Sequence, residues 1–168
     1  MTHKKTAYFA GGCFWCITPI FKEMNGVLAV TSGYAGGDTE NPTYGEVKKQ
    51  NTGHRETIRV EFDLEIVSFE ALLGVFLSGV DPFDGGGQYI DRGHSYTLAI
   101  YYCDEAQKAA AAAAIAHLEA AVGRPVCISL EPYKNFYNAE EEHQDYYLKH
   151  PAEFRQELID SGRLRILN

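Results

Sequence analysis

The order of strand-like and helix-like segments is the feature of this sequence that most restricts its fold. A short apolar run at 6–10, ended by two glycines, predicts a buried strand. The predicted elements that follow are a helix at 13–24, strands at 27–34 and 56–62, a helix beginning at Ser68, and a strand at 96–102. This β-α-β-β-α-β order predicts an α+β fold, a two-layer ferredoxin-like (split βαβ) sandwich.

The C-terminal half adds mainly helix to this core. Asp104 begins an alanine-rich helix that ends at Val122, and a short strand is predicted at 126–130. Two short helices at 139–150 and 151–161 predict a C-terminal helical extension. No repeat or linker interrupts the chain, so its 168 residues predict a single domain.

Two long loops stand out in an otherwise compact pattern. The first spans 36–53 and the second 81–93, and both are rich in glycine and polar residues. Loops of this length inside a compact domain often carry function. The sequence therefore predicts that chemistry is located in these loops and at the first strand-to-helix junction.

The charge balance excludes several classes of partner. The chain has 23 acidic and 15 basic residues and a net charge of −8. Nucleic acids and anionic membranes need a basic surface, so neither is expected as a partner. No apolar run approaches the roughly 18 residues of a membrane span, and the N-terminal residues lack the apolar stretch of a secretory signal. We therefore expect a cytoplasmic protein.

Cys13 is the first candidate for chemistry. It follows two glycines and begins a predicted helix, whose N-terminus favours a thiolate and lowers the pKa of the thiol. The only tryptophan, Trp15, lies beside it and is suited to be the wall of a pocket for an apolar group. The alternative, that Cys13 is an inert buried cysteine and Trp15 a core residue, remains open on spacing alone.

Cys13 and Cys16 form a pair whose spacing on a first helical turn permits a disulfide. A thioredoxin-like exchanger is one alternative, although its element order and tryptophan position differ. Half of a metal site, completed by His54, His94 or His143, is another, but no second closely spaced ligand pair is present. We expect neither a metal nor a cofactor. Cys103 and Cys127 lie in strand-like segments and are predicted to be small buried hydrophobes.

Six short runs carry a family resemblance when they are taken together. Each run alone is weak evidence for a family. In order, the chain resembles the peptide-methionine (S)-S-oxide reductases, the MsrA family, along nearly its whole length. The matching runs are 11–15 (GGCFW), 33–37 (GYAGG), 41–44 (NPTY), 52–56 (TGHRE), 91–96 (DRGHSY) and 142–147 (EHQDYY).

The resemblance implies an enzyme that reduces methionine sulfoxide, free or in oxidised proteins, at the expense of thioredoxin or another dithiol. It implies Cys13 as the nucleophile and Asp91 in support. Around the sulfoxide oxygen it places Tyr44, Glu56 and Tyr96, and around the methyl group Phe14 and Trp15. A binding module for oxidised peptides remains the non-catalytic alternative.

The chemistry explains these residue types. A sulfoxide sulfur becomes electrophilic when its oxygen is protonated, so a thiol that attacks it needs an acid, and a desolvated Glu56 can keep a proton near neutral pH. Collapse releases methionine and leaves Cys13 as a sulfenic acid, which a second thiol converts to a disulfide.

The sequence departs from the family where that second thiol is expected. Many relatives carry a resolving cysteine near the C-terminus, but residues 147–168 contain none, and Ser161-Gly162-Arg163 stands where a Cys-Gly-Arg run is expected. Cys16 occupies a position that is often glycine. We therefore predict that Cys16 is the resolving cysteine, with a one-cysteine cycle and an external thiol as the alternative.

Overall fold

The computed structural model describes residues 3–161, and side chains up to residue 160. The fold is a mixed α+β arrangement around one six-stranded sheet. Its strands are β1 (Lys4–Gly11), β2 (Val27–Ala35), β3 (Arg55–Asp63), β4 (Gly87–Gln88), β5 (Asp91–Arg92), β6 (Leu98–Tyr102), β7 (Ile128–Pro132) and β8 (Phe136–Asn138). Its helices are α1 (Phe14–Lys22), α2 (Tyr44–Lys48), α3 (Phe69–Ser78), α4 (Glu105–Val122), α5 (Tyr146–Lys149) and α6 (Pro151–Ser161).

The sheet has the strand order β7-β6-β1-β3-β2-β8. All neighbouring strands are antiparallel except β6 and β7, which run parallel and are joined through α4. Strands β4 and β5 form a separate two-residue hairpin. Strand β1 therefore lies between β6 and β3 in the middle of the sheet, and the N-terminus of α1 lies close to its end.

Alternate residues of β1 pack into two different clusters, one on each face of the sheet, as expected for a strand that is covered on both sides. Phe9 stacks against Phe21 of α1 and Phe76 of α3, with ring centroids 5.3 and 5.0 Å apart. Tyr8 stacks on Tyr133 and also contacts Phe136, at 4.6 and 5.4 Å. Packing on both sides of β1 fixes the position of the point where β1 ends and α1 begins.

Local signals placed most elements correctly. Ser68 accepts a hydrogen bond from the Ala71 amide, and Asp104 accepts one from the Gln107 amide, so both predicted N-caps are confirmed. Gly123 ends α4 in the left-handed conformation, with φ of +83°. The predicted strand at 96–102 begins instead at Leu98, because 94–96 form a 3₁₀ turn.

Helix α2 and strand β8, like the β4–β5 hairpin, lie where the sequence predicted neither a helix nor a strand. The loop at 36–53 contains helix α2, which begins at a capping box formed by Thr43 and Glu46. Strand β8 adds three residues to the outer edge of β2 and was not predicted. The run Ser161-Gly162-Arg163, used above for the missing cysteine, lies outside the described residues except for the Ser161 backbone. No helix among the described residues has the length and apolar character needed to cross a membrane.

Candidate active site

A cavity of about 510 Å³ opens beside the N-terminus of α1. It brings together side chains from the first helix, both long loops and the last helix. The residues that line it are Cys13, Trp15, Tyr44, Lys48, Gln50, Ile90, Asp91, Arg92, Tyr96 and Glu157. Five predicted site residues are thus brought to one cavity although they are separated by up to 83 positions in sequence (from Cys13 to Tyr96).

The backbone conformation places Cys13 at the N-terminus of α1. Gly12 has φ of +87°, a conformation that glycine adopts readily, and it turns the chain from β1 into the helix. Cys13 follows as the N-cap in an extended conformation. Its side chain is 5% exposed, and this small exposure opens into the cavity.

The Cys13 thiol keeps its proton in the resting site. A hydrogen bond with the Cys16 thiol raises the pKa of Cys13 well above its usual value, and burial and the nearby Glu56 and Asp91 carboxyl groups raise it further. The prediction that the helix N-terminus lowers this pKa is therefore wrong. A helix terminus contributes about 0.3–1 kcal/mol, which does not offset a buried site with two carboxyl neighbours.

Glu56 lies on β3, directly behind the start of α1. It is 2% exposed, and burial raises the pKa of its carboxyl group to about 8. The Phe14 amide donates a hydrogen bond to Glu56 Oε1 at 3.1 Å, which opposes the shift, while Asp91 adds to it. Glu56 is therefore a neutral acid at pH 7, in contact with the residue next to Cys13.

Two tyrosines, Tyr44 and Tyr96, line the cavity close to Glu56, which itself is not part of the lining. Tyr44 and Tyr96 are hydrogen-bonded to each other through their side chains. Burial raises the pKa of both phenols, and Glu56 raises it further once that carboxyl group is ionised. Both hydroxyls therefore stay protonated at neutral pH.

The two long loops hold each other at the Tyr96 side of the cavity. Gln50 Nε2 donates to Ser95 Oγ, and the Ser95 amide donates to Gln50 Oε1, both at 2.8 Å. Gly93 leaves room for the Gln50 amide, since a Cβ there would lie 2.7 Å from Gln50 Cδ. This reciprocal pair fixes the 3₁₀ turn that carries Tyr96.

An aromatic stack forms one wall. Trp15 stacks on Tyr146 at 4.0 Å between ring centroids, and His143 stacks on Tyr44 at 4.4 Å. The Trp15 Nε1–H donates to His143 Nδ1 at 3.2 Å and so orients the indole. His143 and Tyr146 were in a matching run, but no role was predicted for them because the run resembled a solvated helix face.

Phe14 does not line this wall. Its side chain is fully buried between Tyr34 and His143, at 5.8 and 5.7 Å. Phe14 is absent from the lining of the cavity, and its part in surrounding the methyl group with Trp15 stays a prediction. The helical spacing that joins Phe14 to Ile17 and Phe21 already placed it on the core face, and its visible contribution is the amide that binds Glu56.

Glu140 is a further residue of the site that the sequence did not single out. Its carboxylate accepts the Tyr34 hydroxyl at 2.8 Å and the Tyr44 amide at 2.9 Å. Burial raises the pKa of Glu140, but hydrogen bonds from the Tyr44 amide and the Tyr34 hydroxyl, together with His143, lower it. The net shift of this pKa is downward. Glu140 is therefore an anion that anchors the start of α2, and it was hidden in a run of three glutamates.

The four cysteines separate into two kinds. Cys16 is 1% exposed and packs with Cys13 and Leu158 of α6. Cys103 and Cys127 are exposed, so their prediction as buried hydrophobes is wrong. Both lie beside the ends of short strands, where burial is incomplete. Between residues 3 and 160, no group of three or more metal-ligating side chains is close enough to hold a metal ion.

The fold of this chain is similar to that of solved methionine sulfoxide reductases. Mxr1 from Saccharomyces cerevisiae, in its reduced form, superposes with a TM-score of 0.84 at 27% identity, covering 89% of this chain and 87% of Mxr1. Methionine sulfoxide reductase A of Corynebacterium diphtheriae has a TM-score of 0.79 at 31% identity, covering 90% of this chain and 77% of that one.

Sequence comparison agrees with the structural similarity. The peptide methionine sulfoxide reductase MsrA 2 of Staphylococcus aureus is 45% identical over 162 residues, which is 95% of this chain and 92% of that protein. The sequence profile described as Peptide methionine sulfoxide reductase matches residues 5–167. This chain, in which Cys13 and two tyrosines line one cavity and a buried acid binds the amide next to Cys13, therefore belongs to the peptide methionine sulfoxide reductase family.

Proposed function

We propose that this chain carries out its family's reaction, the thiol-dependent reduction of methionine sulfoxide, with Cys13 as the nucleophile and the S epimer as the substrate. The observation that carries the proposal is the position of Glu56. It is a buried carboxyl group with a pKa of about 8, bonded to the amide next to Cys13, in a site that also holds the Tyr44 and Tyr96 hydroxyls.

The first step forms a bond between the Cys13 sulfur and the sulfoxide sulfur. Glu56 gives its proton to the sulfoxide oxygen as the bond forms, and the thiol proton of Cys13 replaces it on Glu56. Collapse transfers the hydroxyl to Cys13, so that methionine leaves and Cys13 becomes a sulfenic acid. Two electrons thereby pass from the Cys13 sulfur to the substrate sulfur. The raised pKa of Cys13 fits this order of proton transfers.

The remaining residues of the site stabilise the negative charge that develops on the sulfoxide oxygen, keep Glu56 protonated and orient the substrate. Tyr44 and Tyr96 donate hydrogen bonds to the oxygen, which strengthen as negative charge develops on it. Asp91 raises the pKa of Glu56 and so favours its acid form. Trp15 supplies the apolar wall, together with the face of Tyr44, 6.3 Å away between ring centroids.

The proposal is tested by assaying the two epimers of N-acetyl-methionine sulfoxide amide with dithiothreitol as the reductant. We expect N-acetyl-methionine amide to be released from the S epimer and not from the R epimer. Equal turnover of both epimers contradicts the assigned stereochemistry. Binding of the S epimer with no consumption of dithiothreitol indicates the binding-module alternative instead.

We propose further that Cys16 resolves the sulfenic acid. The Cys16 thiol is within hydrogen-bonding reach of the Cys13 thiol, and both belong to one buried cluster. Attack by Cys16 on the Cys13 sulfenic acid forms the disulfide and expels water. Cys103 and Cys127 are exposed and do not line the cavity, so neither competes for this role.

Mass spectrometry after a single turnover without reductant tests this assignment. We expect the reacted protein to be two mass units lighter than the reduced protein, as one disulfide predicts, with the link between Cys13 and Cys16 after digestion. Cys127→Ser is the matched control and should give the same link. A stable sulfenic acid on Cys13 with Cys16 still alkylatable contradicts the proposal and favours the one-cysteine cycle.

Thioredoxin is the proposed reductant of the oxidised enzyme. The yeast protein Mxr1, which has the same fold, has been crystallised in complex with Trx2. A dithiol protein of this kind attacks the disulfide and takes over the oxidation. Because thioredoxin systems keep the cytoplasm reducing, we propose a cytoplasmic location for the cycle.

We also propose that the catalytic core is a single domain of the split βαβ class. Support comes from the antiparallel order β6-β1-β3-β2, which is the order of a ferredoxin-like sheet. Strands β7 and β8 then extend this core at its two edges. Helices α5 and α6 form the C-terminal helical extension, which places Tyr146 against Trp15 and Glu157 in the lining of the cavity.

A further inference from the structure

Lys48 is a cation at the catalytic cavity for which the reaction described above has no use. It occupies the last position of α2, four residues after Tyr44, so both side chains lie on one face of the helix. Its Nζ is 5.7 Å from the centroid of the Tyr44 ring. Lys48 therefore presents its charge next to the hydroxyl-bearing ring of the sulfoxide site.

The other charged side chains of the cavity show why Lys48 is different. Arg92 is held by Asp84 through two hydrogen bonds of 2.6 and 2.8 Å, which neutralise its charge. Asp91 and Glu157 are acidic and repel an anion. Lys48 forms no ion pair with any residue from 3 to 160, and its side chain is exposed at the cavity.

We propose that Lys48 is a specificity-determining residue that binds a carboxylate of the substrate close to the oxidised methionine. The inference rests on the proposed function of the cavity. A carboxylate is the anion that a methionine-containing peptide or free amino acid can offer to an unpaired ammonium, and the hydrogen bond between them is charge-assisted. It has two chemical sources, an acidic residue that flanks methionine sulfoxide in a peptide, or the α-carboxylate when methionine sulfoxide is free or C-terminal.

The position of Lys48 also gives carboxylate binding a consequence for the chemistry. Its positive charge reaches Glu56, where it opposes the acid form that the reaction needs. A bound carboxylate neutralises that charge, so the group that Lys48 recognises also removes an influence that favours ionisation of Glu56. A substrate with a carboxylate near the sulfoxide therefore binds Lys48 and also favours the protonated form of Glu56.

Steady-state kinetics on three S-epimer substrates test the proposal. N-acetyl-methionine sulfoxide amide has no carboxylate, N-acetyl-methionine sulfoxide has a terminal one, and N-acetyl-aspartyl-methionine sulfoxide amide has one on a side chain. For wild type we expect a KM for at least one carboxylate substrate about twofold to fivefold below that of the amide, as a partly exposed ion pair provides. The substrate whose KM is lowered identifies the source of the carboxylate, either the chain terminus or an acidic side chain.

Variants at position 48 make the test specific. In Lys48→Gln the KM advantage of the carboxylate substrate should disappear, and in Lys48→Glu the amide should have the lower KM. Lys49→Gln removes an adjacent exposed lysine outside the cavity and should keep the wild-type ratio. An unchanged KM ratio in Lys48→Gln, or no advantage in wild type, overturns the proposal. Release of no product from any substrate by wild type is a separate result and overturns the proposed function as well.

Discussion

Replacing Cys13 by serine should abolish the reduction of methionine sulfoxide, with a loss of roughly 10⁴-fold or more. Serine fills the same buried N-cap position, so the fold should be retained. Its hydroxyl is a far weaker nucleophile than a thiol and does not give up its proton in an acidic cavity. The measurement is methionine formed from the S epimer with dithiothreitol, by single-turnover and steady-state assays.

The control for this variant is Cys103→Ser. Cys103 is exposed, lies on the loop between β6 and α4, and does not line the cavity. It should therefore retain wild-type turnover, which shows that the loss in Cys13→Ser is specific to one sulfur. Turnover of Cys13→Ser at the wild-type rate means that another group attacks the substrate.

Replacing Glu56 by glutamine should slow the reductase step by about 10²-fold to 10⁴-fold, the usual contribution of a positioned acid. Glutamine matches glutamate in shape and keeps an oxygen for the Phe14 amide, so the start of α1 should stay in place. It lacks the proton that the sulfoxide oxygen receives. The measurement is the single-turnover rate of methionine release, with the substrate Kd as the control for binding.

The pH dependence of the same rate distinguishes acid catalysis from a structural role. Glu56 is active when protonated, so the wild-type rate should be highest below its pKa of about 8 and should fall as pH rises through that value. Cys13 does not offset the fall, since its pKa is raised well above the usual thiol range. In Glu56→Gln this alkaline fall should be absent. A wild-type profile that rises steadily from pH 7 to 9 removes Glu56 as the acid.

The fold was largely predictable because its main elements have strong local signals. The N-caps at Ser68 and Asp104 and the left-handed glycine after α4 are encoded within a few residues. Helix α2 was missed although Thr43 and Glu46 carry the signature of a capping box. Strand β8 gives no such signal, because its three residues become a strand only by pairing with β2.

The site was predictable in its chemistry and less so in its supports. Residue types suited to sulfoxide reduction pointed to Cys13 and Glu56 through the family resemblance, and the structure places them beside one cavity. The roles of Glu140 and His143 depend on contacts with residues 96 and 128 positions away, which local patterns do not encode. The pKa of Cys13 was predicted in the wrong direction for the same reason, since Glu56 and Asp91 approach it only in the folded chain.

The central claim is that one sulfur, that of Cys13, takes the oxygen of methionine sulfoxide. The most direct test is a single turnover of Cys16→Ser with the S epimer, without reductant and with dimedone as a trap for sulfenic acid. The account predicts one methionine released per chain and one dimedone adduct, located on Cys13. Methionine released with no adduct on Cys13, or an adduct on another residue, contradicts it.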